Sequence, residues 1–356
     1  MICTLVFTLV ALSNVVANDT WPQFGEVDSL GVSNDPNLAL SWNTNDNIVW
    51  AVEVLGFGWS LPIVWGNLVV VAIVVSEGKV EEPRAEFYFG GERPTPVDEH
   101  RWMVYAFSVE NGSLLWEREI HRGVPTTPRH LKNTYASETP VTDGRHIYAY
   151  FGNVGLFCLD MSGRILWSET FEIVEIRAGW GTSASPVVHG DRLYIVNDND
   201  DRSFLAALSK ETGAEIWRVD RDEGSNWSTP YVWENELRTE IVTTGTDKVR
   251  SYGLDGNLLS ELTGMSSITI TIPFSDFGLL YIGYQQRPVF AIRPGASGNV
   301  SVPADGTLDE HIAWYLPQAA SYNPSPIVNG DYYYTLLDRG FFTCHDARTW
   351  QEVYGR

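Results

Sequence analysis

The sequence predicts an all-β fold, a β-propeller of four-stranded blades, on three observations. One unit of about fifty residues recurs along the 356-residue chain. Each unit ends in an apolar strand, a polar turn with Gly and a strand centred on Trp. No stretch of useful length keeps the 3.6-residue period of an amphipathic helix.

The units follow in order. Val104–Glu119 reads VYAFSVENGSLLWERE, Leu156–Glu169 reads LFCLDMSGRILWSE and Phe204–Val219 reads FLAALSKETGAEIWRV. Trp167 lies 51 residues after Trp116, and Trp217 lies 50 after Trp167. The fourth copy, Val249–Leu262, has Ser260 at the Trp position. The fifth, Val289–Tyr315, carries an insertion before Trp314. The sixth, Phe341–Tyr354, has Trp350 where the turn Gly belongs and Tyr354 at the aromatic position.

Upstream of each copy stands a second half-pattern: a Pro, an apolar pair and a turn Gly before another strand. It is clear in Leu61–Val71, Thr139–Tyr148, Ser185–Val196 and Ser325–Tyr334, and looser in Thr229–Thr244 and Ile272–Ile282. The two halves make four short strands, A to D. Polar Gly turns such as Glu110–Ser113 suit hairpins between them. One such sheet cannot bury both of its faces alone, whereas radial packing buries them. A β-sandwich would not require one Trp at one place in every unit. A lone strand, Asn47–Val54, matches the D pattern ahead of the six units. The expectation is an eight-bladed type with its C-terminal blades missing; a closed seven-bladed ring is the alternative.

Residues 1–17 are apolar and end in Val15-Val16-Ala17, which reads as a secretory signal peptide. Residues 18–46 form an extension, and 47–356 the propeller. Cys3 belongs to the leader; Cys158 and Cys344 sit in equivalent apolar strands and read as buried free thiols. The net charge of −21 argues against phosphate backbones and anionic lipid as partners and for a soluble monomer. After the leader, no run is long enough to span a bilayer as a helix.

Connections on one propeller face surround the central funnel, and loops on rigid scaffolds often carry binding. The D-to-A connections put an aromatic ahead of the Pro that opens strand A: Trp59, Tyr135, Trp180, Trp227 and Tyr322. Such a ring of aromatics would stack a flat or sugar-like ligand or a peptide. The competing expectation is that they seal gaps between blades. Arg177, Asn226 and Asn323 stand beside them as polar contacts. Within Asn197–Asp201, Asp198 and Asp200 are candidates for calcium, although the cluster lacks the Gly and distant Glu of an EF-hand loop. The long loop from Ser76 to Arg101 holds Phe87-Tyr88-Phe89. P-loop, His-Glu-x-x-His and nucleophile-elbow motifs are absent, and the seven His lack metal-ligand spacing.

The recurrent Ala/Cys-x-(Asp)-x-x-(Thr)-Gly-x-x-x-Trp signature resembles the repeat of the pyrroloquinoline-quinone-like (PQQ-like) propellers, over most of the chain after Trp21. The opening Trp21-Pro22-Gln23-Phe24 and the block Gly224–Gly245 are similar to exported bacterial members, and BamB-like scaffolds share the fold. WD repeats are excluded, since the Gly-His and Trp-Asp pairs are missing. The resemblance implies an exported, periplasmic or extracellular, non-catalytic module with no cofactor, holding a protein, peptide or glycan. The alternative it implies is a PQQ- and calcium-dependent dehydrogenase, against which stands the missing Cys-Cys pair.

Overall fold

A computed structural model describes residues 20–25, 31–33, 38–81, 93–285, 288–302, 305–317, 319–338 and 340–355. The expected leader, with Cys3, and the Phe87–Phe89 cluster lie outside the described residues. Among the described residues the strands form six sheets, each built on a four-stranded antiparallel meander, as the Gly-turn hairpins require. Sheet one holds β1 (Ile63–Trp65), β2 (Leu68–Ser76), β3 (His100–Ser108) and β4 (Leu114–Gly123). Sheet two holds β5 (Val141–Thr142), β6 (His146–Phe151), β7 (Gly155–Asp160) and β8 (Ile165–Glu169). Sheet three holds β9 (Val187–His189), β10 (Arg192–Asn197), β11 (Ser203–Ser209) and β12 (Glu215–Arg221). Sheet four holds β13 (Tyr231–Glu234), β14 (Thr239–Thr244), β15 (Lys248–Gly253) and β16 (Leu258–Thr263). Sheet five holds β17 (Phe274–Asp276), β18 (Leu279–Gly283), β19 (Val289–Ile292) and β21 (Ile312–Leu316). Sheet six holds β22 (Ile327–Asn329), β23 (Tyr332–Leu336), β24 (Phe342–Asp346) and β25 (Glu352–Tyr354). A fifth strand, β20 (Gly298–Asn299), comes from the insertion and pairs parallel to β16.

The core is not one body but a series of joints. Each joint packs one face of a sheet against the next sheet. Val104 and Ala106 meet Ile147 and Leu159 between sheets one and two. Tyr148 and Cys158 meet Leu193 and Leu208 between two and three. The series continues through sheets four, five and six. The first strands of sheets one to five lie side by side in chain order, so the stacking is radial about an axis. Cys158 and Cys344 are buried free thiols.

Two devices lock the joints. The repeat Trp of each outer strand lies on the turn Gly of the next sheet: Trp116 on Gly163, Trp167 on Gly213 and Trp217 on Gly256. These glycines have φ of +82°, +77° and +86°, and a Cβ on them would strike the ring. Each indole N–H donates to a carbonyl of the same turn: Met161 O at 3.0 Å, Lys210 O at 3.2 Å and Leu254 O at 2.9 Å. The second device is a hydroxyl belt near the axis, built from the residue before each opening Pro. Leu61 N–H donates to Thr139 Oγ1 (2.9 Å), Thr139 N–H to Ser185 Oγ (2.9 Å) and Ser185 N–H to Thr229 Oγ1 (3.0 Å). Buried backbone donators that cannot join a ladder there are satisfied by side chains of the next sheet.

Candidate functional site

The connections that open each strand A converge on the axis, and a cavity of about 310 Å³ sits there. Its walls are mainly aromatic and aliphatic: Trp59, Trp180, Trp227, Phe24, Ile268 and Ile270. Asn133, Ser137, Ser183 and Thr229 add polar groups, and His130 and Lys132 complete the rim. Among the described residues no carboxylate lines it, although the whole chain is strongly acidic.

Local chemistry fixes each ring differently. Trp227 is nearly buried; its Nε1–H donates to Gly181 O at 2.7 Å and its backbone N–H to Thr269 O at 2.9 Å. Trp180 lies against it, ring centres 5.6 Å apart and tilted by 35°. The His130 ring meets Trp180 edge-on at 5.6 Å. Trp59 is 51% exposed, while its backbone N–H is tied to Ala136 O at 3.0 Å. The cavity thus has one free ring at its mouth and two fixed rings in its wall. Asn133 cannot turn its amide to a ligand without loss: Nδ2 donates to Thr182 O at 2.9 Å, and Oδ1 accepts from Tyr135 N–H at 3.0 Å.

The expected ring of five aromatics is only partly present. Trp59, Trp180 and Trp227 meet at the cavity. Tyr135 faces a neighbouring cavity of about 170 Å³, beside Trp102 and Phe151. Its hydroxyl donates to Thr127 O at 2.7 Å, and burial pushes that phenol up in pKa. Tyr322 and Asn323 are held by Asp338, which accepts from their backbone N–H groups at 2.8 and 3.0 Å. Arg177 stands on a 3₁₀ turn, Arg177–Gly179, and reaches across to donate to Ser267 O at 3.0 Å. Asn226 is buried and donates to Asp198.

The calcium expectation for Asp198 and Asp200 gives way to an ion pair. Arg221 takes both oxygens of Asp198, Nε to Oδ1 at 2.8 Å and Nη2 to Oδ2 at 2.9 Å, with both side chains fully buried. A guanidinium in that place leaves no room or charge for a cation. Asp200 instead accepts from Ser225 Oγ at 2.7 Å. Among the described residues, no group of three or more His, Cys, Asp or Glu could hold a metal. The network continues to Glu223, which accepts from Arg250 at 2.6 Å. Burial raises the Glu223 carboxyl to about 7, against the opposing pull of Arg221. Glu138, between Ser137 of the wall and Thr139 of the belt, is also raised to about 7 by burial, while the Thr182 hydroxyl opposes the shift.

A simpler rule finds five of the wall residues. The residue three places before each opening Pro is Trp59, Ser137, Ser183, Trp227, Ile270 and Asn323 in turn. The first five line the cavity. Selecting by aromaticity picked Tyr135 and Tyr322, which stand at other spacings, and missed Ser137, Ser183 and Ile270. Phe24 is carried there because Trp21 pairs with Val64 on β1, at 2.8 and 2.9 Å.

Comparison with known proteins gives consistent relatives. A family model described as "Outer membrane protein assembly factor BamB" matches residues 100–354. BamB of Salmonella typhimurium is 29% identical over 53% of this chain and 45% of its own length. BamB of Yersinia pestis is 24% identical over 58% of this chain and 54% of its own. The chain thus spans about half the length of the curated relatives it matches. Among solved structures, BamB of Moraxella catarrhalis is similar with a TM-score of 0.50 at 12% identity, over 85% of this chain and 87% of that one. The quinohemoprotein alcohol dehydrogenase of Comamonas testosteroni reaches 0.62 at 12% identity, over 94% of this chain and 66% of that one. At such identities these two structures speak for the β-propeller fold alone.

Proposed function

Because the chain belongs to the family of the outer membrane protein assembly factor BamB, we propose that it is an exported, non-catalytic binding module that holds a protein partner at its funnel during outer-membrane protein assembly. The observation that carries this reading is the convergence of Trp59, Trp180 and Trp227, from three separate connections, on one cavity. Tryptophan supplies large contact area at small entropic cost and is enriched where proteins bind most tightly. The mouth ring, Trp59, is already exposed, and the wall rings are already fixed, so little ordering is needed on binding.

A polypeptide suits the walls better than a glycan. Sugar hydroxyls need carboxylates and amides, but among the described residues no carboxylate lines the cavity, and the Asn133 amide is already engaged. An apolar side chain needs only the rings and the two isoleucines. Among the described residues no helix is long and apolar enough to cross a membrane. Outside the cytoplasm, acidic surface would keep such a module soluble while the apolar funnel holds its partner.

The test is the capture of an unfolded outer-membrane protein by the purified chain. Trp59→Ala should weaken capture about tenfold, as expected for loss of one anchoring aromatic, with the unfolding midpoint unchanged because the ring is exposed. Equal capture by the Trp59→Ala and parent chains would remove the funnel from the account.

A further inference from the structure

Each joint has a slot between the outer strand of one sheet and the second and third strands of the next. Three residues of the receiving sheet floor it, and the ladders identify them. The last of the three follows the residue that stands opposite the Trp position: Leu159 after Cys158, Leu208 after Ala207, Tyr252 after Ser251, Ile292 after Ala291 and His345 after Cys344. The other two are a cross-strand pair on the same face. In sheet two the floor is Ala149, Phe157 and Leu159, in sheet three Ile195, Ala206 and Leu208, and in sheet five Ile282, Phe290 and Ile292. All nine are apolar and buried in the joint cores. The same places hold polar groups in two sheets only: Thr243, Arg250 and Tyr252 in sheet four, and Thr335, Thr343 and His345 in sheet six.

The joint between sheets three and four matches its polar floor with a cation. Arg221 stands four residues beyond Trp217, on the outer strand of sheet three. Its Nη1 donates to Thr243 Oγ1 at 2.7 Å and to the Tyr252 hydroxyl at 2.9 Å, while Asp198 takes its other edge. In the first two joints the same count gives Ile120 and Phe171, which pack into the apolar cores. The character of the floor and of the group above it therefore agree in these three joints.

The joint between sheets five and six has the polar floor beneath a cavity of about 480 Å³. Leu316, two residues beyond Trp314, forms one wall, and Thr343, His345 and Glu352 form the other. Thr335 stands opposite Thr343 on the same face. Thr335 Oγ1 and His345 Nδ1 are buried, in residues 1% and 6% exposed, and neither has a hydrogen-bond partner among the described residues. Buried polar atoms in that state cost free energy until something pairs with them. Burial lowers the His345 pKa against the pull of Glu352, so the ring is neutral at neutral pH and one nitrogen can accept. Glu352 lies opposite His345 in the ladder and brings a carboxylate to the same wall. Among the described residues no Lys or Arg lines this cavity.

We propose that the cavity between sheets five and six is a binding site for a guanidinium group, held as Arg221 is held between sheets three and four. The planar fork donates to Thr335 Oγ1 and to the His345 ring, and Glu352 supplies the opposing charge. A guanidinium offers donors and no acceptor, which suits a floor of hydroxyls and a neutral imidazole. An ammonium carries the same charge without the fork. The group can come from a small free molecule or from an arginine side chain of a polypeptide. The site lies within a joint between two four-stranded sheets and does not depend on the funnel reading.

Methylguanidinium is the probe, titrated into the intact chain while NMR follows the His345 ring nitrogens and the Thr335 amide. The expected result is saturable shifts at those groups, with methylammonium binding about tenfold more weakly. Thr335→Val keeps the shape and removes one acceptor, so it should weaken binding about tenfold without lowering the unfolding midpoint. The triple variant Thr335→Ile, Thr343→Phe, His345→Ile installs the floor of sheet five; it should resist denaturant better and lose the saturable shift, read at the Leu337 amide. The pentapeptide Gly-Ser-Arg-Ser-Gly separates the two sources. Binding as tight as methylguanidinium supports an arginine side chain, and much weaker binding supports a small free guanidinium. Shifts that grow linearly without saturating, equal binding of methylammonium, or undiminished binding by Thr335→Val would overturn the site.

Discussion

The joints between sheets one and four and those between sheets four and six face the same requirement and meet it differently. In the first group, Trp116, Trp167 and Trp217 each cross to a glycine and a carbonyl of the next turn. The belt residues Thr139, Ser185 and Thr229 pass one hydrogen bond along at 2.9–3.0 Å. In the second group, Ser260 has no ring to offer. The insertion folds back instead: β20 pairs beside Ser260, and Ala296 and Val300 enter the joint between sheets four and five. Trp314 keeps its bond to the next turn, to Ala347 O at 3.2 Å, but stacks on Trp350 at 4.3 Å where a glycine would stand. Ile272 supplies no hydroxyl, and the last belt bond, Ile272 N–H to Ser325 Oγ, stretches to 3.4 Å. The joint is thus the conserved physical object, and the residues that fill it are exchangeable when volume and hydrogen bonds are replaced.

The sharpest break in this comparison is Trp167→Ala. It removes a large, partly buried ring and leaves Lys210 O without its donor, and a loss of roughly 3 kcal/mol is expected in chemical denaturation. An equal, small effect at Trp167 and at an exposed aromatic such as Tyr354 would show that the first joints are not locked this way.

Next in size is Glu138→Gln, within the regular group. The folded carboxyl titrates near 7, above its unfolded value near 4.5. It is therefore protonated in the folded chain at low pH, and its stabilising contribution is complete below the unfolded value. That contribution is lost as pH rises through 7. The amide carries no charge to bury, so Glu138→Gln should be near neutral at pH 4.5 and stabilise the chain at pH 8, by up to about 3 kcal/mol. Thermal unfolding at the two pH values measures it, and the same shift at both would remove the buried charge from the account.

Val300→Ala tests the substitute joint. Val300 is 3% exposed in the core shared by sheets four and five, and a cost of about 1–2 kcal/mol is expected. No change would mean that the insertion merely decorates the surface. The smallest effect belongs to Thr229→Val, which removes the acceptor of Ser185 N–H and should cost about 1 kcal/mol. Ser325→Ala, at the stretched bond, should cost less than that.

Much of the architecture was legible because the repeat Trp and the x-Pro half-pattern each mark a joint that recurs in space. Trp116, Trp167 and Trp217 are packing residues by spacing alone, and their structural role agrees. The insertion before Trp314 was visible, yet its partner was not. Nothing local says that residues near 298 lie beside Ser260, because that contact is long-range and made by a two-residue strand. At the funnel, residue type misled where spacing would have served. Tyr135 is aromatic but its hydroxyl turns to Thr127, and Tyr322 is tied by its backbone N–H to Asp338, while Ser137 and Ile270 occupy the wall by position. Asp198 looked like a cation ligand because its partner, Arg221, is 23 residues away in sequence. Burial of that pair is a tertiary fact with no local signature.

The central claim is that the funnel mouth meets a protein. A photo-crosslinking residue placed at Trp59 in producing cells, with one at Val353 on the outer strand of sheet six as reference, tests it directly. The account predicts protein adducts at 59 and none above background at 353. Adducts at 353 alone, or equal adducts at both, would contradict it.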